Sequence, residues 1–101
     1  MSFDERLQEQ KVNELFRAIM SLKTLEEHYR FFEDLCTVKE IQAMAQRFRV
    51  AQLLSEGCTY EEIVQETGMS SATISRIKRF LDYGADGYHM AIDRLDEMEE
   101  D

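Results

Sequence analysis

Residues 59–81 read TYEEIVQETGMSSATISRIKRFL, and they contain the clearest structural motif of the chain. It divides into a short helix over 59–67, a turn over 68–70 and a second helix that begins near Ser71. Gly68 lies in the turn, where two steeply crossing helices need a positive φ that glycine adopts freely. Four apolar residues are spaced to form a small core between the helices: Ile63, Met69, Ile74 and Ile77. The stretch therefore predicts a helix-turn-helix.

The second helix of this motif has the composition of a helix that enters the major groove of DNA. Its start carries small and hydroxyl-bearing side chains, which fit the groove and bond bases or phosphates. Three basic residues follow and supply positive charge for flanking phosphates. The predicted DNA-contacting residues are Thr59, Tyr60, Ser70, Ser71, Ala72, Thr73, Ser75, Arg76, Lys78 and Arg79. Ordinary helix caps and a solvated basic face give the same composition. DNA binding is favoured because the glycine turn, the hydroxyl-rich helix start and the basic residues follow one another in this order.

A sequence pattern that is typical of helix starts occurs four times along the chain. A hydroxyl residue followed three positions later by Glu is typical of a capping box, and it occurs at Ser2, Thr24, Thr37 and Thr59. Apolar residues at helical spacing follow each copy, and no segment alternates apolar and polar residues over the length of a strand. The predicted fold class is therefore all-α. We expect a long first helix over about 3–22, a second from Thr24 and a third from Thr37 that ends near Gly57.

Length and composition bound the domain organisation. The chain has 101 residues, of which 44% are apolar and 33% charged, which supports one domain with a core of its own. We expect a single domain over residues 1–101. Its parts are dimerisation helices over 3–57, the helix-turn-helix over 59–81, and a loop followed by an acidic helix or tail over 82–101. No apolar run reaches the length of a membrane span and no secretion signal follows Met1, which predicts a cytoplasmic protein without a membrane partner.

The sequence indicates no catalytic or metal site. Cys36 and Cys58 lie far apart without a CxxC motif, and His28 and His89 are isolated, so no ligand set has the spacing of a metal site. Neither a nucleophile–histidine–acid arrangement nor a phosphate-binding glycine loop is present. We therefore predict no catalytic residue, no bound metal and no enzymatic activity.

The net charge of −9 is unevenly distributed. Residues 82–101 contain eight acids and one base, whereas residues 71–80 contain three bases and no acid. The acidic end either repels DNA and weakens non-specific binding or is a plain solubilising tail. The negative charge also favours an alternative function, a helical protein–protein interaction module that has lost DNA binding.

The chain resembles the Trp repressor superfamily, especially its YerC/YecD-type branch. The resemblance rests on LCTVKEIQAMAQRFRVAQLLSEG at residues 35–57 and on TYEEIVQETGMSSATISRIKRFLDYGADGY at residues 59–88. It implies an intertwined homodimer with one helix-turn-helix head per subunit, which binds double-stranded DNA at a palindromic operator and represses transcription. It also implies a bacterial cytoplasm, with association with the nucleoid when the protein is bound to DNA.

The resemblance also implies an effector pocket. The founding member binds L-tryptophan as a corepressor, and the corresponding positions here are Thr37, Arg47, Thr73 and Arg76. Tryptophan-binding members have Gly after the second arginine, whereas this chain has Ile77, whose side chain occupies space that the indole needs. The prediction is that no cofactor is required and that tryptophan or another small effector is disfavoured. Three roles stay open for Arg47: an effector ligand, a phosphate contact and a solvated surface charge.

Overall fold

The structure is a computed structural model, and it describes residues 4–99. Over these residues the chain forms six α-helices and no strand: α1 Gln10–Ser21, α2 Leu25–Leu35, α3 Val38–Ser55, α4 Tyr60–Thr67, α5 Ser71–Tyr83 and α6 Gly87–Glu99. A short 3-10 helix over Glu5–Leu7 precedes α1. The predicted all-α fold is confirmed. No helix of the described part is long and apolar enough to cross a membrane.

Threonine caps begin three of the helices, as the repeated pattern predicts. The hydroxyl groups of Thr24, Thr37 and Thr59 each accept a hydrogen bond from the backbone N–H three residues later, at 3.1 to 3.2 Å. At Thr37 and Thr59 the Glu of the pattern also accepts from the backbone N–H of the threonine, at 2.8 Å, which completes a capping box. The fourth copy begins at Ser2, which lies outside the described residues.

The first helix is shorter than the predicted span of about 3–22. Asp4 caps the 3-10 helix with its side chain, and the backbone is extended at Glu9 before α1 begins at Gln10. The apolar spacing of the sequence predicts the apolar face of α1, but it does not reveal this break. The 3-10 helix is capped at its end by Gln8, whose backbone N–H donates to the carbonyl of Glu5 at 2.9 Å.

Two compact units divide the described chain, residues 4–43 and residues 44–99. The second unit has a core to which α3, α4, α5 and α6 contribute buried apolar side chains: Val50, Ala51, Leu53, Ile63, Ile74, Ile77, Leu81 and Ile92. No residue of 4–43 is buried. Large apolar side chains of that unit face solvent: Leu7, Phe16, Met20, Leu25, Tyr29, Leu35 and Val38. One domain over 1–101 stays a prediction.

The loop expected after the helix-turn-helix is short in the structure. α5 continues to Tyr83 and α6 begins at Gly87, which leaves only residues 84–86 between them. Asp86 takes a φ of 71°, and its carbonyl accepts from the N–H of Met90 at the start of α6. These two features end the loop at Asp86 and begin α6 at Gly87, and Ile92 of α6 packs into the core.

Candidate nucleic-acid interface

The turn between α4 and α5 is built by local hydrogen bonds. Gly68 has a φ of 74° and its N–H donates to the carbonyl of Val64 at 2.8 Å, which ends α4 in a left-handed cap. The N–H of Met69 then donates to the hydroxyl of Thr67 at 3.2 Å. Ser70 accepts from the N–H of Thr73 and begins α5. These contacts fix where the second helix starts and which way it leaves the turn.

The buried and exposed faces of α5 follow from its helical period. Ile74, Ile77 and Leu81 are buried and hold the helix on the core. On the opposite side, Ala72, Ser75 and Arg79 are exposed and follow the three-four spacing of a single face. This outward face, which we call the reading face, is formed by these three residues together with the exposed Ser71. It offers small side chains, two hydroxyl groups and one guanidinium to a ligand.

The three basic residues of α5 have different surroundings. A terminal nitrogen of Arg76 donates to the hydroxyl of Thr73 at 3.3 Å, within the same helix. The ammonium of Lys78 lies 3.2 Å from a carboxylate oxygen of Asp82, one turn further on. Arg79 forms no ion pair with any acid of residues 4–99 and is exposed on the reading face. The sequence shows these bases as one patch, whereas the helix directs them to different sides.

Several residues that the sequence predicts as DNA contacts also have structural roles. Ser70 and Thr73 share a hydrogen bond between their hydroxyl oxygens, 3.1 Å apart, at the start of α5. Thr59 caps α4, and Tyr60 is partly buried against the core. The capping box also affects charge: the backbone N–H of Thr59, followed by its hydroxyl, lowers the pKa of Glu62 below its usual range. The start of α4 and the start of α5 are therefore firmly fixed.

A cavity of about 550 Å³ lies between α3, α5 and α6, beside the reading face. It is lined by Met44, Arg47, Phe48, Thr73, Arg76, Ile77, Phe80 and Tyr88. Three of the four predicted effector residues are among them. The fourth, Thr37, belongs to the unit 4–43, where it caps α3. Ile77 is only 4% exposed, and its side chain forms part of the cavity wall.

Three aromatic residues of this cavity were not predicted from the sequence, and Phe48 of α3 is the one that directly follows a predicted effector residue, Arg47. Phe80 lies one turn after Arg76 on α5, so the helical period could have placed it beside that arginine. Tyr88 comes from α6, and only the packing of α6 brings it to the cavity. The cavity therefore combines two guanidinium groups with an apolar and aromatic lining, which suits a small amphipathic anion.

The remaining candidates show structural contacts. Arg49 lies 2.8 Å from Glu66, and this carboxylate raises the pKa of the guanidinium. Both thiols are free cysteines, and burial raises the pKa of Cys58, which disfavours a reactive thiolate. Over the described part of the chain, no three His, Cys, Asp or Glu side chains are grouped in a way that could hold a metal ion.

Comparison with known proteins places these features in a family. The family model described as Trp repressor protein matches residues 10–96. The uncharacterized protein YerC of Bacillus subtilis is 57% identical over 95 residues, which are 94% of this chain and 91% of YerC. The crystal structure of a TrpR-like protein from Eubacterium eligens superposes with a TM-score of 0.87 at 52% identity, over 91% of this chain and 95% of that one. The crystal structure of a candidate Trp repressor from Staphylococcus aureus superposes with a TM-score of 0.88 at 50% identity, over 94% of this chain and 96% of that one.

Proposed function

The chain belongs to the Trp repressor family, and from this premise we propose that it is a sequence-specific DNA-binding regulator that represses transcription as a homodimer. The observation that carries the proposal is the reading face of α5. It presents Ser71, Ala72 and Ser75 near the start of the helix and Arg79 two turns in, all of them exposed. Small side chains let the helix start approach base edges, and the guanidinium reaches a flanking phosphate.

The rigid turn before α5 supports this role. A reading helix must hold its side chains in a fixed position against the duplex, and the left-handed cap at Gly68 and the hydroxyl pair of Ser70 and Thr73 fix the helix start. The unpaired N–H groups of the first turn provide a further site for a phosphate oxygen. In this proposal the start of α5 enters the groove and α4 lies across the backbone of the duplex.

The exposed apolar side chains of residues 4–43 support a homodimer. None of these residues is buried, although α1 and α2 each carry one strongly apolar face, with Phe16 50% and Met20 81% exposed. Large exposed apolar faces in a water-soluble chain are typical of surfaces that a partner covers. A second copy of the chain is the partner that the family implies. Two reading helices in one dimer also bind more tightly than one, because the second contact is intramolecular.

The dimer sets the spacing of the operator. We propose that two α5 helices, related by a two-fold axis, enter successive major grooves on one side of the duplex, about 34 Å apart. The operator is then a palindrome whose half-sites are centred about one helical turn apart.

We further propose that this DNA binding requires no tryptophan. Arg47 and Arg76 suit a carboxylate, but the side chain of Ile77 in the cavity wall takes up space that a flat indole needs. Operator affinity is therefore expected to be unchanged by added L-tryptophan. A rise in affinity with tryptophan would contradict this part of the proposal.

The test is selection of the purified protein against random duplex DNA at moderate salt, with the enriched sequences read by sequencing. An enriched palindrome with half-sites about 10 base pairs apart is the expected result. No enrichment, with or without tryptophan, together with binding that does not depend on salt, would favour the helical protein-interaction module instead.

A further inference from the structure

Lys78 lies in an acidic groove and not on the reading face. Its ammonium nitrogen is 3.2 Å from Asp82, and both side chains are about half exposed. The groove is formed by the end of α3, by α5 and by α6, and four carboxylates are among its lining residues: Glu56, Asp82, Asp93 and Asp96. Lys78 is the only lysine or arginine among these lining residues.

The helical period separates Lys78 from Arg79. Consecutive residues of a helix point about 100° apart. With Ile74, Ile77 and Leu81 fixed on the core, Arg79 points away from the protein, whereas Lys78 points along the side of α5 that borders α6. His89 lies in the same groove, where its Nε2 contacts the carbonyl of Leu81.

We propose that Asp82 is a positioning residue that holds Lys78 in this groove and withholds it from DNA phosphates, so that Asp82 lowers the affinity for duplex DNA. This inference rests on the proposed function. One exposed ion pair is weak on its own, but three further carboxylates line the same groove and add to its negative potential. Removing the Asp82 charge releases Lys78 to the solvent side of α5, from where its long side chain reaches a phosphate.

The test is a set of binding titrations with a labelled mixed-sequence duplex of about 30 base pairs, at salt concentrations between about 50 and 200 mM. Asp82→Asn is compared with Asp86→Asn, which removes the same charge from an exposed position outside the groove. Asn tolerates the left-handed backbone at 86, so the control variant keeps its fold. Lys78→Ala and the double variant Lys78→Ala/Asp82→Asn complete the cycle.

The expected result is that Asp82→Asn tightens binding about three- to tenfold and steepens the slope of log affinity against log salt by about 0.9, the value of one added phosphate contact. Asp86→Asn gives a smaller gain without a change of slope. Without Lys78, Asp82→Asn gains no more than Asp86→Asn. If Asp82→Asn acts by changing the fold and not by releasing Lys78, the slope of log affinity against log salt stays unchanged. The slope therefore distinguishes a structural effect from a new phosphate contact.

Two results overturn the inference while the proposed function stands. One is equal affinity and slope for Asp82→Asn and Asp86→Asn. The other is that Lys78→Ala alone weakens binding as much as Arg79→Ala, because Lys78 then already contacts DNA. Absence of binding by the wild type, Asp82→Asn and Asp86→Asn alike overturns the proposed function and this inference together.

Discussion

The Nε2 atom of His89 lies 2.8 Å from the carbonyl oxygen of Leu81, eight residues earlier in the chain. A carbonyl only accepts hydrogen bonds, so Nε2 of His89 is the donor. The Leu81 carbonyl is one of the last four of α5, which have no partner within the helix. This contact therefore gives a C-terminal carbonyl of α5 a hydrogen-bond donor and connects the acidic helix α6 to α5.

Replacing His89 with alanine is expected to lower the free energy of unfolding by about 1 kcal/mol, because the Leu81 carbonyl loses its donor. Amide hydrogen exchange in α6 should rise first, since this helix loses its link to α5. His89→Gln is the control, because its side-chain amide nitrogen donates from nearly the same place. Urea unfolding measures the effect. Equal losses for alanine and glutamine would show that the ring packs and does not act through its hydrogen bond.

Gly84 and Gly87 give a second, matched prediction. A Cβ at Gly84 would overlap the backbone carbonyl of Phe80, whereas nothing lies within 4 Å of a Cβ at Gly87. Gly84→Ala is therefore expected to destabilise the protein by about 1 to 3 kcal/mol, because the backbone between α5 and α6 must shift. Gly87→Ala lies at the start of α6 and is expected to be neutral or to stabilise by about 0.5 kcal/mol. Thermal unfolding of the two variants distinguishes them, and similar melting temperatures would contradict the argument.

Local features of the fold could be predicted from the sequence, because neighbouring residues encode them. The threonine caps, the left-handed Gly68 and the start of α5 each depend on a few consecutive side chains, and all of them agree with the structure. The start of α6 was not predicted, because Asp86 takes a positive φ that is uncommon for a residue other than glycine and its carbonyl accepts from the N–H of Met90.

Some features of the candidate site could likewise be predicted from the sequence, whereas others depend on how the helices pack. Of the residues that the family resemblance implies for an effector pocket, Arg47, Thr73 and Arg76 line one cavity and Thr37 does not. Tyr88 reaches that cavity only through the position of α6. The separation of Lys78 from Arg79 follows from the helical period alone. That Lys78 faces carboxylates depends on α3 and α6, which come from distant parts of the sequence.

The capping box of α4 gives a prediction of pH dependence. The N–H of Thr59, with its hydroxyl, lowers the pKa of Glu62 in the folded chain. The folded state thus binds this proton less readily than the unfolded state, so the stabilisation is complete above about pH 4.3, the usual pKa of a glutamate. It is lost as the pH falls below that value through the lowered pKa. When the pH falls from about 6 to about 3, the free energy of unfolding is expected to decrease less for Glu62→Gln than for the wild type.

The control for this effect is Glu61→Gln, which removes a neighbouring charge from α4 without removing a cap. Its stability should follow the wild-type pH dependence. Denaturant midpoints at a series of pH values provide the measurement. If Glu61→Gln and Glu62→Gln show the same pH dependence, general charge repulsion accounts for it and the capping box does not.

The reading face predicts different effects for Arg79 and Ser75 in DNA binding. Arg79→Ala should weaken binding to all duplexes by a similar factor and flatten the salt slope by about 0.9, because one phosphate contact is lost. Ser75→Ala should keep the slope and reduce the preference for one base position by roughly threefold to tenfold. Titrations with an operator and a scrambled duplex separate the two effects. A sequence-dependent loss at Arg79 would place its guanidinium on a base edge instead.

The apolar face of α1 predicts how the oligomer depends on Phe16. This side chain is half exposed in the single chain, and the proposed dimer covers it. Phe16→Glu puts a charge on that face, and burying the charge without a partner is costly. We therefore expect the dissociation constant of the dimer to rise by at least about thirtyfold, which corresponds to about 2 kcal/mol. Sedimentation velocity over a range of concentrations measures this shift.

Gln10→Glu is the matched control for Phe16→Glu, because it adds the same side chain to the opposite, exposed side of α1. It should sediment as the wild type does. Far-ultraviolet circular dichroism checks that both variants remain helical, since residues 44–99 have a buried core of their own. If Phe16→Glu remains a dimer with unchanged affinity, α1 is not the dimer surface. A monomeric, still helical Phe16→Glu that also loses most of its operator affinity would connect the apolar face of α1 to DNA binding, because each reading helix alone makes too few contacts to hold the duplex.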